Sequence, residues 1–438
     1  MISGVVRVDQ ATAVGMMGPA GGRAWFITIV AFATLLVVAG FRSAPSVLIM
    51  PLEMAFGWSR TQISLAVSIN VLAYGLVSPF AAALMQRFGI RRVVMVALVI
   101  IASGAFATTA VSAPWQLDVL WGLVVGGGTG SMALVFSPTI ASRWFVRRRG
   151  LVVGVLSAAT STGQLIFLPV FAYLVNHHGW RSVSLLVGGF ALVMVPVVAL
   201  FLRESPESWG TQPYGAPPDW QPPVHPTGGA ARRTVDTLRR ASRQRSFWIL
   251  AGTFIVCGFS TNGLIGTHFI PACMDAGMPM QIAANLLALI GVFDIVGTMF
   301  SGWLTDRMSV KRLLMIFYGL RGLSLFLLPS ILFPHVRPVT MIFTVFYGLD
   351  WIATVPPTLA LCRTVLDESS GTIVYGWVFA AHQIGAAVAA TVAGYLRLRL
   401  GDYSAAFYGA ALLCVAAAFS VLSIHEGKPT RLLGPITA

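Results

Sequence analysis

Apolar residues in this chain fall into long runs, and polar residues gather in the short stretches between them. Twelve runs stand out: residues 24–50, 61–86, 92–112, 115–140, 150–175 and 181–202, then 247–271, 280–305, 313–332, 338–362, 372–397 and 403–424. Each is about 20 residues or longer, enough for a helix to cross the roughly 30 Å hydrocarbon layer of a bilayer. The pattern predicts an all-α membrane protein with twelve transmembrane helices in two six-helix bundles. No cleavable signal peptide is evident, and the first apolar run is expected to remain as a helix.

The polar stretches repeat. Gly302-Trp303-Leu304-Thr305-Asp306-Arg307-Met308-Ser309-Val310-Lys311-Arg312 has a degraded copy at Ala82-Ala83-Leu84-Met85-Gln86-Arg87-Phe88-Gly89-Ile90-Arg91-Arg92, and the offset of 220 residues is about half of the 438-residue chain. Repetition at that period divides the chain into residues 1–202 and 247–438, two similar halves, with 203–246 between them. In a membrane protein, paired halves are the usual build of a secondary transporter. The connecting segment is proline-rich first and then basic. It reads as a flexible linker, with Arg239–Arg245 able to form a short helix on anionic lipid.

Charge then fixes an orientation. Of 29 Lys and Arg, 22 fall in alternate loops and termini if the N-terminus is cytoplasmic, and 5 in the others. This positive-inside bias predicts cytoplasmic N- and C-termini and a cell (inner) membrane location. It also accounts for the net charge of +14 without nucleic acid. A hydrophobic content of 56%, charged residues at 10% and a mean hydropathy of +0.80 fit a bilayer as solvent. Cys257, Cys273, Cys362 and Cys414 are scattered and suggest neither a disulfide framework nor a metal site. The runs Gly126–Gly130 and Gly150–Gly154 predict close helix packing. No nucleophile–base pair, metal-ligand spacing or nucleotide loop appears, so the reading is not an enzyme and calls for no cofactor and no metal.

The repeated stretch resembles the Gly-x-x-x-Asp-Arg-x-Gly-x-Lys/Arg-Lys/Arg signature of the major facilitator superfamily. The second copy carries Gly302, Asp306, Arg307, Lys311 and Arg312, with Ser309 in place of glycine. The first carries Arg87, Gly89, Arg91 and Arg92, with Ala82 for the first glycine and Gln86 for the acid. The resemblance implies that both copies latch the cytoplasmic side when the protein faces outward, the small residue letting two helices approach. Two more stretches resemble the monocarboxylate-transporter branch, bacterial type. Trp144-Phe145-Val146-Arg147-Arg148-Arg149-Gly150-Leu151 through Ala158-Ala159 is similar to its fifth-helix signature. Gly21, Gly22, Ala24 and Trp25 fit its first-helix signature. In the eighth helix, where animal members have Asp-x-x-x-Arg, Asp294 fits and Thr298 replaces the arginine. The family's first-helix lysine slot holds Ser43, with Arg42 beside it.

Charges inside spans are costly and are functional candidates by default. Arg42, in the first span, is read as the cation that holds a substrate carboxylate, the alternative being a pair with Glu53. Asp294 near the middle of the eighth span, with Asp350 in the tenth, is read as the proton carrier. Arg321 is read as a structural ion-pair partner of Asp350 or Asp294. Tyr74, Gln164, Asn262, His382 and Gln383 are candidate hydrogen-bonding partners of substrate; Asn70 and His268 are further polar positions, and His177-His178 lies in an outer turn. The expected function is alternating-access transport of a small organic anion, a monocarboxylate carried with protons. The rival is an exporter or facilitator of a drug-like or neutral metabolite. The expected partners are that anion, protons and the lipid bilayer, and twelve spans suffice for a monomer.

Overall fold

The computed structural model describes residues 19–217, 229–366 and 370–424, so the expectations for Arg7, Lys428 and Arg431 and for residues 218–228 lie outside it. Every run predicted from hydropathy is helical, with breaks inside the fourth and tenth. The first six are α1 (Pro19–Phe56), α2 (Arg60–Phe88), α3 (Ile90–Thr108), α4 (114–144), α5 (Arg149–His178) and α6 (Arg181–Phe201). The second six are α7 (Arg245–Asp275), α8 (Met280–Thr305), α9 (Val310–Ile331), α10 (Pro338–Val365), α11 (Gly371–Leu400) and α12 (Ser404–Ser420). Eleven of these are long and apolar enough as they stand to cross a membrane; α4 is interrupted at Ser131-Met132. No strand occurs among the described residues beyond an isolated bridge.

The twofold repeat in sequence is a twofold repeat in packing. Within the first half α1 lies on α5, α2 on α4 and α3 on α6; within the second, α7 lies on α11, α8 on α10 and α9 on α12. Between the halves α2 meets α11, α5 meets α8 and α1 meets α7. The same offset appears in local chemistry. At the end of α6 the Glu204 carboxylate accepts the first backbone N–H groups of α3, from Ile90 (2.9 Å) and Arg91 (3.0 Å), and pairs with Arg143 at 3.0 Å. An anion there suits the positive end of the helix dipole. Exactly 220 residues on, the Ile424 carbonyl accepts from Lys311 Nζ at 2.9 Å. In both halves, the end of the last helix is thereby tied to the start of the third.

Small residues set the closest approaches. A Cβ at Gly126 would lie 2.6 Å from the Asn70 carbonyl, and one at Gly130 2.8 Å from that of Tyr74, so the α4 glycine run seats α4 directly on the α2 backbone. The Asn70 side chain joins this seam, donating to the Trp121 carbonyl at 2.6 Å. Gly297 of α8 meets the Leu349 carbonyl of α10. The run at Gly150–Gly154 corrects its expectation: both glycines face open space, as does Gly302 of the signature. None of these three sets a helix approach here.

The connecting segment also departs from expectation. Residues 203–217 are docked rather than flexible. Tyr214 N–H donates to the Trp144 carbonyl (2.8 Å) and its carbonyl accepts from Val146 (2.9 Å), while Trp209 packs on Trp144 and its carbonyl accepts from Arg23. Further on, a linker helix at Ala230–Ala241 buries Thr234, Thr237 and Ala241 and exposes Arg232, Arg233, Arg239 and Arg240. It touches both α2 and α11, and Trp377 Nε1 donates to the Thr234 carbonyl at 2.9 Å.

The α8–α10 seam should tolerate no added volume. Gly297→Val is expected to destabilise the fold by about 1–3 kcal/mol through overpacking. Gly319→Ala, which faces open space on α9, should melt like the wild type. Thermal melting in detergent compares them.

Candidate functional site

Val355-Pro356-Pro357 decides the shape of α10. Proline fits the first turn of a helix but removes backbone donors from its interior. The helix therefore runs Pro338–Asp350, unwinds over 351–354 and restarts as Val355–Val365. Its freed backbone groups are taken up by α8 and α9. Asp294 Oδ1 accepts from Ile352 N–H (3.0 Å) and from the Thr298 hydroxyl (3.1 Å), and the Ser301 hydroxyl donates to the Ala353 carbonyl. From α9, Arg321 Nη2 donates to the carbonyls of Asp350 (2.5 Å) and Trp351 (3.1 Å), and its Nε pairs with Asp350 Oδ2 at 2.6 Å. Arg321 Nη1 reaches Cys257 Sγ on α7, which in turn contacts the Thr354 hydroxyl. Asp294, Arg321 and Asp350 are 3%, 0% and 5% exposed. Asp294, Gly297, Thr298 and Ser301 share one face of α8 at helical spacing, so a single stripe carries both the close approach and the caps.

A second cluster lies between the halves. The Arg42 guanidinium of α1 sits 4.8 Å from the centroid of the Tyr74 ring on α2. Arg42 is half-buried, and no acid pairs with it among the described residues. Glu53, considered as its partner, instead binds Arg60 at 2.9 Å. Tyr74 packs edge-on to Phe379 of α11 (5.9 Å), Phe379 lies parallel to His382 (5.7 Å, 6°), and His382 packs against Phe254 of α7 (4.8 Å). Gln383 follows on α11, packed against Gly75 and 1% exposed. Its Nε2 and Oε1, and Nδ1 of His382, are buried without a hydrogen-bond partner. Four of the residues picked from sequence, Arg42, Tyr74, His382 and Gln383, thus come together. Gln164 and Asn262 are half-buried and their side chains make no hydrogen bond among the described residues. Asn70 belongs to the α2–α4 seam.

The third cluster was not anticipated. Arg60 in the first turn of α2, 5% exposed, binds Glu53 of α1, both oxygens of Asp275 at the end of α7 (2.7 Å each) and the Tyr403 hydroxyl before α12 (3.2 Å). Arg397 of α11 also reaches Asp275 at 2.7 Å. His268 completes the chain: its Nε2–H donates to the Ala390 carbonyl (2.8 Å), leaving Nδ1 to accept from Tyr403 (3.2 Å). These contacts clamp the two halves at the face opposite the arginine-rich loops. The sequence held a signal. A cation in the first turn of a helix opposes its dipole, and the Ser59–Gln62 capping box marks that turn. At the arginine-rich face, by contrast, Gln86, Arg87, Arg92, Asp306, Arg307 and Arg312 are exposed, and Asp306 has no ion pair among the described residues. Arg307 folds back over Trp303 of α8 at 4.2 Å. Among the described residues, no ion pair joins the signature loops of the two halves.

Comparison with known proteins agrees with this architecture. The family model described as Major Facilitator Superfamily matches residues 30–390 and 295–434. Monocarboxylate transporter 13 of Bos taurus is 29% identical over 428 residues, covering 95% of this chain and 94% of its own. An uncharacterized MFS-type transporter of Bacillus subtilis (strain 168) is 24% identical over 384 residues, 84% of this chain and 87% of its own. The crystal structure of a D-xylose-proton symporter superposes with a TM-score of 0.71 at 15% identity, over 92% of this chain and 98% of that one. That likeness is one of fold. The proteins found are transporters and not enzymes.

Two outcomes test these clusters. Arg321→Met leaves Asp350 buried and two carbonyls orphaned, and should cost about 3–5 kcal/mol. Adding Asp350→Leu removes the stranded charge but not the orphaned carbonyls, so the double variant should recover only part of the lost melting temperature. At the clamped face, a Cβ at Gly394 would lie 2.9 Å from Ser64 Oγ, close to the Cβ–sulfur separation in a disulfide. Ser64→Cys/Gly394→Cys should cross-link on oxidation, and Asp275→Asn should slow the cross-linking several-fold by loosening the clamp.

Proposed function

The chain belongs to the Major Facilitator Superfamily of transporters, and from that membership we propose that it carries a small organic monocarboxylate together with a proton by alternating access. The observation that carries the reading is Arg42, a cation within a span, set over Tyr74 and without an acidic partner among the described residues. A guanidinium there attracts a carboxylate and holds it through two parallel hydrogen bonds. Relatives named monocarboxylate transporters support the cargo class.

The proton goes to Asp294. Asp350 is committed to Arg321, and Asp294 accepts an N–H and a hydroxyl of the α8–α10 seam on Oδ1. A proton on Asp294 weakens that oxygen as an acceptor and loosens its hold on the α10 break. Proton binding is thereby linked to the geometry of α10. The charges also balance. Arg42 and an ionised Asp294 sum to zero when empty, and an anion with a proton adds zero, so the empty and loaded forms carry the same charge. An anion alone would leave the interior at −1, which hydrocarbon penalises.

The arginine-rich face is cytoplasmic in this reading, by the positive-inside bias, and the membrane is the cell membrane. The Arg60–Asp275 clamp then closes the outer side. The loops carrying Gln86, Arg87, Gly89, Arg91 and Arg92, and Gly302, Asp306, Arg307, Lys311 and Arg312, latch the cytoplasmic side once that clamp has opened. Gln164 and Asn262 line the pathway.

Uptake of radiolabelled carboxylates into proteoliposomes, with and without an inward proton gradient, tests the proposal. Arg42→Ala should raise KM roughly 10- to 150-fold, the worth of a charge-assisted hydrogen bond of about 1.5–3 kcal/mol. Asp294→Asn keeps an oxygen to accept from Ile352 but cannot take a proton, so gradient-driven uptake should be lost. Gradient-driven uptake that survives in Asp294→Asn would place the proton elsewhere.

A further inference from the structure

Building on the carboxylate reading of Arg42, we propose that the substrate is a flat aromatic monocarboxylate bearing a hydroxyl group, bound between the two halves with its carboxylate on Arg42 and its hydroxyl on Gln383.

Three observations lead there. The first is the wall. Tyr74, Phe379, His382 and Phe254 form a continuous series of ring contacts across α2, α11 and α7, with centroid separations of 5.9, 5.7 and 4.8 Å. Phe379 and His382 stack within 6° of parallel in this wall, while Tyr74 meets Phe379 at 65° and closes its edge. Flat ligand rings gain from offset or edge contacts with such a surface, beyond the apolar area they bury. An aliphatic acid of two or three carbons has no ring to place there.

The second is the unmet polar demand. Gln383 is 1% exposed, and both its amide nitrogen and its amide oxygen lack a partner; His382 is 6% exposed, and its Nδ1 lacks one. Buried polar groups in folded proteins are almost always paired. An amide offers a donor and an acceptor together. One small group satisfies both at once, and it is a hydroxyl, which donates and accepts. A second carboxylate would satisfy only the donor, and a methyl group neither.

The third is the juxtaposition. Tyr74 and Gly75 are consecutive on α2. Arg42 lies over the ring of the first, and Gln383 packs against the second. The cation therefore sits on the first half and the amide on the second, at a common depth set by two neighbouring residues. A ligand with one polar group at each end of a rigid ring joins the halves at that depth, which is where a rocking transporter must read its cargo. Arg42 lies against the Tyr74 ring and has no acidic partner among the described residues, so it selects a single negative charge.

The test uses the full-length protein in proteoliposomes. Uptake of radiolabelled 4-hydroxybenzoate, benzoate and L-lactate is compared for wild type, Gln383→Leu and Phe379→Leu. Each variant is first checked for a single elution peak and wild-type melting, and Gln383→Met replaces Gln383→Leu if the latter misfolds. We expect wild type to carry 4-hydroxybenzoate with a KM about tenfold below that of benzoate and to carry L-lactate poorly. In Gln383→Leu that tenfold ratio should shrink to within about twofold. In Phe379→Leu both aromatic acids should lose affinity at least fivefold. Efficient carriage of L-lactate with both aromatic acids excluded would overturn this inference and leave the carboxylate reading intact. A 4-hydroxybenzoate preference unchanged in Gln383→Leu would equally overturn it. Failure to carry any of the three would remove the carboxylate reading on which it rests.

Discussion

A helix broken inside hydrocarbon must find a partner for every backbone group it releases, because no water is there to take them. Proline at 356 and 357 breaks α10 near the middle of its span, and the second half of the protein is assembled around that break. Asp294 takes the N–H of Ile352, Arg321 takes two carbonyls and neutralises Asp350, and Ser301 takes a third carbonyl. Gly297 lets α8 come near enough for these bonds to form. The cost of desolvating Arg321 is offset by filling its donors with two carbonyls, a carboxylate and a thiol. The same bonds fix α8, α9 and α10 relative to α7, whose Cys257 closes the group.

That arrangement explains how two halves with one ancestral pattern diverge. Helix pairing is the same in both, and the tie between the last helix and the third recurs at an offset of 220 residues with different chemistry, a carboxylate in one half and a backbone carbonyl in the other. Gln86 stands where Asp306 stands in the second half, and the first half supplies its anion from Glu204. Between the halves, charge is concentrated at one end. Arg60, Asp275, Arg397 and Glu53 hold the face opposite the arginine-rich loops closed, while those loops lie exposed. In the proposed reading, a chain clamped at one face with its signature loops exposed at the other is one of the two states that alternating access requires.

How much of this was legible depends on the range of the physics involved. Twelve spans and two halves could be read because hydropathy and repetition are properties of the chain alone. Arg42, Tyr74, His382 and Gln383 could be picked because a polar residue within an apolar run stands out wherever its partner is. Partners were another matter. Glu53 was a plausible mate for Arg42 by position, yet Arg60 took it, because the capped start of α2 brings Arg60 to the same corner. Asp294 was legible as a buried acid, but its role in capping α10 requires knowing that 351–354 unwinds beside it. Tyr214 returns to Trp144 from 70 residues away, which no local composition signals, so a proline-rich stretch that reads as flexible proves docked. Gly150 and Gly154 looked like a packing motif and face open space, because glycine content says nothing about which helix face meets a neighbour.

Near the middle of the spans the chain places four charges, Arg42, Asp294, Arg321 and Asp350. Arg321 and Asp350 neutralise each other, and Asp294 is set into the α10 break. Among the described residues, Arg42 has the Tyr74 ring for a neighbour in place of an acid. A cation kept in that position has an energy that depends on what enters beside it. A neutral cargo would displace solvent from Arg42 and return no charge, so the loaded state would be less favourable than the empty one. A cationic cargo would be repelled outright. An anion both restores solvation and supplies the counter-ion, so its binding is strongest where the site is driest, which is the occluded state through which a carrier must pass. In the proposed reading, the scaffold that pairs Arg321 with Asp350 leaves Arg42 to select an anion.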